Sequence, residues 1–432
     1  MASMQEPKWR QGKRCLKKLL FVDVKKAHLN GKVEEDAYLV IELPSEMEGP
    51  CRYGRLRRWL YGMRGAASAW EKDFSERLGG VGFTKGRAAP TVFRDERNDI
   101  SLVVHGDDFT FLGYLDDLQK IIEHMQGWYE VKVRGIIGGE PKDDKSITIL
   151  GRQLRWTEKG LEYEADEKHV KIICEDFGLS ESSKGLDAAC VKDEGDEGEE
   201  ELEKSEATKF RAMAARANYL AQDRFDVQFA AKEACRSMAR PTAGSWRRLK
   251  RLGRYLLEHP TATWTYKGEP LTKDALLDVY VDSDWGGCPT SRRSTSGGLI
   301  LLQKGLIKSW SSTQSTVAMS SGEAEYYSTV KGAAEGLAVQ AVAKELGLDL
   351  GLRAWVDSSA AKAVASRTGL GKIRHLEVRF LWLQDAVKKG RLTIRKVKGT
   401  ENPANVGTKP LHIKAVRKEL DGLCEISDRR RP

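Results

Sequence analysis

The chain has 432 residues, enough for two or three domains at the usual ~100–200 residues each. Lysine and arginine total 72 against 63 acids, a net charge of +9; with 40% hydrophobic and 31% charged residues, a wholly disordered chain is excluded. No run reaches the ~18 apolar residues of a membrane helix, residues 1–18 are too basic for a secretory signal, and seven cysteines without a Cys-x-x-Cys pair exclude a disulfide scaffold, so the sequence reads as cytoplasmic or nuclear.

In chain order, the apolar run at 19–22 (LLFV) is short enough for a buried strand and ends at Asp23. Trp70, Phe74 and Leu78 recur every fourth residue, one face of a helix that stops at Gly79 and Gly80. Residues 101–105 and 109–112 read as two strands around Gly106, Asp107 and Asp108, a hairpin signature. Between 193 and 206 nine acids stand against one lysine, a net of −8 that leaves +17 on the rest of the chain. That stretch reads as a flexible linker, and the basic remainder suits a polyanionic partner as well as it suits a solvated surface. A helical block follows, with Phe210, Met213, Ala214, Ala217 and Leu220 on one stripe and Trp246, Leu249, Gly253 and Leu256 on another. The far face of the second helix carries Arg247, Arg248, Lys250, Arg251 and Arg254, either a solvated basic face or one that tracks a phosphate backbone.

Further on, Leu277, Val279 and Val281 alternate with Asp278, Tyr280 and Asp282, as in a half-buried strand. Residues 298–303 and 306–310 flank Lys304 and Gly305 as a second hairpin. Ser320 with Glu323 is a capping box that opens a helix bearing Val330, Ala334, Leu337, Ala341 and Leu346. Residues 354–356 form a short strand ending at Asp357, and Leu376, Phe380, Leu383 and Val387 make a further helix stripe. This part has an α/β layout.

Two sets of acids stand where strands end. If the hairpin tip packs beside the first strand, Asp23, Asp107 and Asp108 converge; if not, Asp-Asp is ordinary turn chemistry. Asp282, Glu325 and Asp357 form the second set, although Glu325 can simply favour a helix dipole and Asp357 can cap the next helix. Carboxylates at contact distance repel or raise one another's pKa, so converging acids call for cations. Two magnesium ions ~3.5–4 Å apart would neutralise either set and assist in-line attack on phosphorus.

Several motifs resemble one family. Residues 21–31 (FVDVKKAHLNG), 58–64 (RWLYGMR), Ala69 with Trp70, and 104–108 (VHGDD) are similar to the reverse transcriptase core of copia-type retrotransposons. Residues 280–286 (YVDSDWG), 293–297 (RSTSG), 309–312 (SWSS), 320–326 (SSGEAEY), 355–358 (WVDS) and 407–411 (GTKPL) resemble the RNase H domain that follows it there. Residues 218–220 (NYL) and 249–255 (LKRLGRY) match the connecting helical segment, so the resemblance runs from about 19 to 411.

The resemblance implies an α+β fold: a partial reverse transcriptase palm of antiparallel sheet and helices over 1–175, an acidic flexible linker over 176–206, a helical connection over 207–267, an RNase H-like α/β domain over 275–411, and a charged C-terminal tail over 412–432. It implies catalysis by Asp23, Asp107 and Asp108 in the palm and by Asp282, Glu325 and Asp357 in the RNase H domain, with two Mg2+ or Mn2+ ions per site. The metal ligands would be Asp23 and Asp107 in one site, and Asp282, Glu325, Asp357 and Asn405 in the other. His28, Tyr61 and Gly62 would meet the incoming nucleotide, while Arg247, Arg248, Lys250, Arg251, Arg254, Arg292 and Arg293 would follow nucleic acid. The implied partners are an RNA–DNA hybrid and template–primer, deoxynucleoside triphosphates, and other Pol or Gag products or a second chain, with no membrane.

Four departures stand out. Only 22 residues precede Asp23, where the family has a fingers segment. His28 replaces an aromatic that screens the sugar, and His105-Gly106 precedes the paired acids in place of an aromatic and valine. Asn405 stands where the fourth RNase H aspartate is normal, offering an oxygen without a charge. Two readings follow: a polymerase–RNase H fragment whose RNase H half is the more complete, or a degenerate or domesticated remnant that binds nucleic acid without catalysis.

Overall fold

The computed structural model describes residues 8–10, 13–47, 52–192, 200–268, 270–272, 274–371 and 375–429. It is α+β and divides into two compact units, residues 3–147 with 341–349 and residues 148–340 with 350–432.

The first unit is built on a six-stranded antiparallel sheet. Its strands are β1 (Lys17–Val24), β2 (Thr84–Lys85), β3 (Val92–Asp95), β4 (Ile100–His105), β5 (Asp108–Tyr114) and β6 (Val131–Ile137), in the order β6-β1-β5-β4-β3-β2. Central β1 buries Leu20, Val22 and Val24, which is why its sequence is an apolar run. Helices α1 (Ala66–Gly80) and α2 (Leu115–Trp128) pack Trp70, Phe74, Leu78, Leu118, Ile121 and Met125 into the same core. The β4–β5 turn is tighter than the sequence suggests. Only Gly106, at φ +64°, and Asp107 lie outside the strands, and Asp108 opens β5.

The second unit holds two five-stranded sheets and most of the helices. One sheet combines β7 (Ser146–Ile149), β8 (Arg152–Thr157), β9 (Gly160–Glu164), β10 (Ala262–Tyr266) and β16 (Cys424–Ile426), in that order. Around it lie α3 (Glu167–Asp176), α4 (Lys204–Leu220), α5 (Phe225–Arg236) and α6 (Ala243–Glu258). The other sheet runs β13 (Gly305–Thr313), β12 (Thr295–Leu302), β11 (Leu276–Ser283), β14 (Gly351–Val356), β15 (Thr393–Lys396). Its β11–β14 and β14–β15 pairs are parallel and the others antiparallel. Helix α7 (Ser321–Glu345) follows β13, α8 (Ser359–Ser366) and α9 (Trp382–Lys388) follow β14, and α10 (Ile413–Glu419) precedes β16. Among the described residues, no helix is long and apolar enough to cross a membrane.

Several expectations change. Residues 148–175 part from the palm, because β8 and β9 pair on into β10 rather than onto the six-stranded sheet. Helix α4 begins at Lys204, inside the expected linker; residues 193–199 lie outside the described residues. The expected tail is folded through Ile426: Ile413, Val416, Leu420 and Ile426 bury themselves in the core that also holds Phe225 and Leu256, and Ile426 pairs with Ala262. Arg430 and Arg431 lie outside the described residues. The stripe from Leu376 to Val387 is broken into a 3-10 turn at Val378–Phe380 and α9. The second hairpin turns on Gln303 and Lys304, both at positive φ, one residue earlier than expected.

Glycines on α7 let that helix lie close on the sheet. A Cβ at Gly332 would stand 2.3 Å from Val281 Cγ1, and one at Gly336 would stand 2.9 Å from Val279 Cγ2. Gly332→Ala is therefore expected to destabilise the chain by about 1–3 kcal/mol through overpacking, although alanine is the better helix former by ~1 kcal/mol. Denaturant unfolding measures this, and an unchanged or raised midpoint would contradict it.

Candidate active site

Three acids meet at one edge of the second sheet. Asp282 is the penultimate residue of β11 and Asp357 directly follows β14, and the parallel pairing of these strands (Tyr280 opposite Trp355) brings both carboxyl ends to the same side. Glu325 comes from the N-terminal part of α7. Ligand oxygens of Asp282, Glu325 and Asp357 all lie within 4.8 Å of one another, the one such group of metal-ligating side chains among the described residues.

Local hydrogen bonds fix the geometry. Ser328 Oγ donates to the Asp282 carbonyl at 2.8 Å, tying α7 to β11. The Ser283 amide donates to Glu325 Oε1 at 3.1 Å. Buried Gln314 gives its Nε2 to Ser283 Oγ, Ser296 Oγ and the Ala324 carbonyl at 2.9–3.2 Å, so the start of the helix, the end of β11 and β12 share one clamp. The capping box is only half made: Ser320 Oγ accepts from the Glu323 amide, but the Glu323 carboxylate reaches back to the Met319 amide and also takes His375 at 2.8 Å.

The electrostatics follow from burial. Asp282 is 1% exposed and Glu325 8%. Burial first, then the charges of Asp282 and Asp357, push the Glu325 carboxyl up to about 9. Burial also raises Asp282, against the opposing pull of Lys409 and Thr408. Glu325 Oε2 is buried and has no hydrogen-bond partner. An all-carboxylate donor set with an orphaned buried oxygen fits a hard divalent cation such as Mg2+ or Mn2+.

Asn405 is linked to this group through Lys409. It lies on a short 3-10 segment, Pro403–Gly407, and is 5% exposed. Its amide oxygen accepts from Lys409 Nζ, which also lies 3.3 Å from Asp282 Oδ2, and Thr408 Oγ1 donates to Asp282 as well. Thr408 and Lys409 were visible in the GTKPL motif, yet nothing in that pattern tells which side chain they would meet.

The palm acids are neighbours, less closely drawn together. Asp23 stands opposite Asp108 in the β1–β5 register, and the Val24 amide donates to the Asp107 carbonyl at 3.0 Å. Trp70 Nε1 donates to the Gly106 carbonyl at 2.9 Å and so anchors the turn, a role its helical spacing did not reveal. Asp107 is exposed; Asp108 is raised by burial first, opposed by Arg134 at 3.5 Å and reinforced by Asp107 and Asp23. His28 stacks on Tyr61 with ring centroids 4.7 Å apart, next to Gly62 at φ +85°.

The basic residues divide. Arg247, Arg248 and Lys250 are exposed on α6, whereas Arg251 and Arg254 are half-buried and Arg254 Nε donates to the Lys184 carbonyl at 2.8 Å. Arg254 therefore serves the chain's own backbone. Arg292 and Arg293 are exposed in the β11–β12 connection, as is Trp285, whose indole N–H donates to the Ala318 carbonyl at 3.1 Å.

The chain matches no protein-family model. It is 24% identical over 429 residues to the retrovirus-related Pol polyprotein from transposon TNT 1-94 of Nicotiana tabacum, covering 93% of this chain and 30% of that one. The corresponding polyprotein from transposon RE2 of Arabidopsis thaliana is 25% identical over 400 residues, covering 90% and 26%. A third relative, the transposon Ty1-DR6 Gag-Pol polyprotein of Saccharomyces cerevisiae, is 22% identical, covering 92% and 23%. Its homologues are copia-type Pol polyproteins. The chain spans less than a third of the length of these relatives. Among solved structures, a foamy viral protease-reverse transcriptase in complex with an RNA/DNA hybrid is similar over 88% of this chain and 44% of its own, at TM-score 0.50 and 13% identity. That likeness is one of fold, in keeping with a reverse transcriptase palm and an RNase H-like domain.

Glu325 gives the chain a pH signature. Its carboxyl, ordinarily near 4.5, is pushed up to about 9 by burial and by Asp282 and Asp357, so between these values the folded state favours a proton that the unfolded state has lost. Stability contributed by that proton is full below about pH 4.5 and is lost as the pH rises toward 9. Thermal melts in chelator across this range should fall with rising pH in the parent and more shallowly in Glu325→Gln; parallel curves would contradict the assignment.

Proposed function

We propose that the chain is the polymerase–RNase H portion of a retrotransposon Pol, acting by two-metal phosphoryl transfer on RNA–DNA hybrid and template–primer, with RNase H as the more complete half. The observation that carries this reading is the meeting of Asp282, Glu325 and Asp357, two of them buried, with an orphaned oxygen on Glu325. Asp282, Glu325 and Asp357 would hold Mg2+ or Mn2+, which when bound supplies Lewis-acid charge to the scissile phosphate and its attacking water. The chain's own contribution is preorganisation: Thr408 and Lys409 hold Asp282, the Ser283 amide orients Glu325, and burial keeps the oxygens from bulk water. Exposed Arg292, Arg293 and Trp285 would take the sugar–phosphate backbone of the hybrid, with Arg247, Arg248 and Lys250 as a further basic strip. The foamy viral relative in fold was solved with the same ligand class.

In the first unit, Asp23, Asp107 and Asp108 would serve nucleotide addition, with His28, Tyr61 and Gly62 meeting the deoxynucleoside triphosphate. The β1–β5 register and the Trp70 anchor support that reading, while the wider spacing of the acids makes it the less prepared of the two centres. A second reading, a silent nucleic-acid binder, is favoured by one observation: Asn405 brings no charge to the place of a fourth acid.

Cleavage of a hybrid with a labelled RNA strand separates the two. With Mg2+ or Mn2+ the parent should cut, and Asp282→Asn and Glu325→Gln should each lower the rate by roughly 100-fold or more. A folded chain that binds the hybrid and cuts nothing would leave the silent binder.

A further inference from the structure

The Asn405 amide is fixed from both sides. Its Nδ2 donates to the Gly399 carbonyl at 2.8 Å and to Glu419 Oε1 at 3.2 Å, while its Oδ1 accepts from Lys409 Nζ. The Gly399 carbonyl cannot donate, nor can the Glu419 carboxylate when ionised, so the reverse flip would set an amide oxygen against a carbonyl and a carboxylate. The oxygen therefore faces Lys409, whose ammonium lies 3.3 Å from Asp282 Oδ2. Gly399 itself borders the cluster, since a Cβ placed there would stand 3.1 Å from Asp357 Oδ2.

Glu419 ends this chain of contacts. It is the last residue of a seven-residue helix, where the macrodipole disfavours an acid, and it follows Lys418. Among the described residues, its carboxylate accepts from the Asn405 amide. An aspartate at 405 would instead face the Glu419 carboxylate, two like charges at contact distance.

We propose that Glu419 is a positioning residue of the carboxylate cluster: acting through the Asn405 amide, it aims the amide oxygen at the site and supplies the fourth negative charge that residue 405 lacks. Asn405 and Glu419 are then a matched pair, with the charge moved from the 3-10 segment to the end of α10. This rests on the reading that Asp282, Glu325 and Asp357 bind divalent cations.

The test is Mn2+ binding to the full chain, followed by loss of the free-ion EPR signal. Asp282→Asn marks the binding that belongs to the cluster. Glu419→Gln should weaken that binding by about 10-fold, the scale of outer-shell effects on metal affinity. Asn405→Asp alone should give no gain, because the two carboxylates face each other, and the double variant Asn405→Asp with Glu419→Gln should return affinity to the parent level or above. If Glu419→Gln binds like the parent, or the double variant binds as weakly as Glu419→Gln, the pairing is overturned and the metal reading stands. A parent chain with no binding sensitive to Asp282→Asn overturns both.

Discussion

Mutual repulsion of Asp282, Glu325 and Asp357 is the constraint around which the second unit is arranged. Oxygens drawn within 4.8 Å, two of the three acids buried, cannot all be ionised without a compensating cation. The fold imposes the meeting in spite of that cost. Parallel β11 and β14 end side by side, α7 is brought close on β11 by Gly332 and Gly336, and Gln314 and Ser328 pin helix to strand. In the metal-free state, the repulsion is relieved by a proton held on Glu325 and by the Lys409 ammonium beside Asp282.

The first unit solves a related problem with less commitment. Its acids sit on a tight hairpin and a neighbouring strand, with Asp107 open to solvent and Arg134 offsetting Asp108. Solvent and a nearby arginine offset the charge of the acids at this spacing. The core beneath is nonetheless specific: Trp70 is packed among Phe74, Phe109 and Tyr129 while its indole N–H holds the turn.

Much of this was legible in the sequence because strand ends and helix starts leave local marks. Period-two alternation from Leu277 and the apolar run before Asp23 report burial directly, and the glycine at 106 reports a positive φ. What escaped was non-local. No local pattern says that residues 160–164 pair with 262–266 and these in turn with 424–426, and charges around Ile413, Val416 and Leu420 hid an amphipathic helix as a tail. The turn at Gln303 and Lys304 was displaced because both residues adopt the positive φ usually left to glycine. Partners at the site were hidden for the same reason: Thr408 lies 126 positions from Asp282, and Glu419 meets Asn405 only once α10 folds back.

The most direct test of the convergence is a crystal structure grown with Mn2+ and measured for anomalous scattering. An anomalous peak bonded to oxygens of Asp282, Glu325 and Asp357, with Glu325 Oε2 now engaged, is the expected result. Three carboxyl groups splayed apart, or closed on one another with no peak, would contradict it.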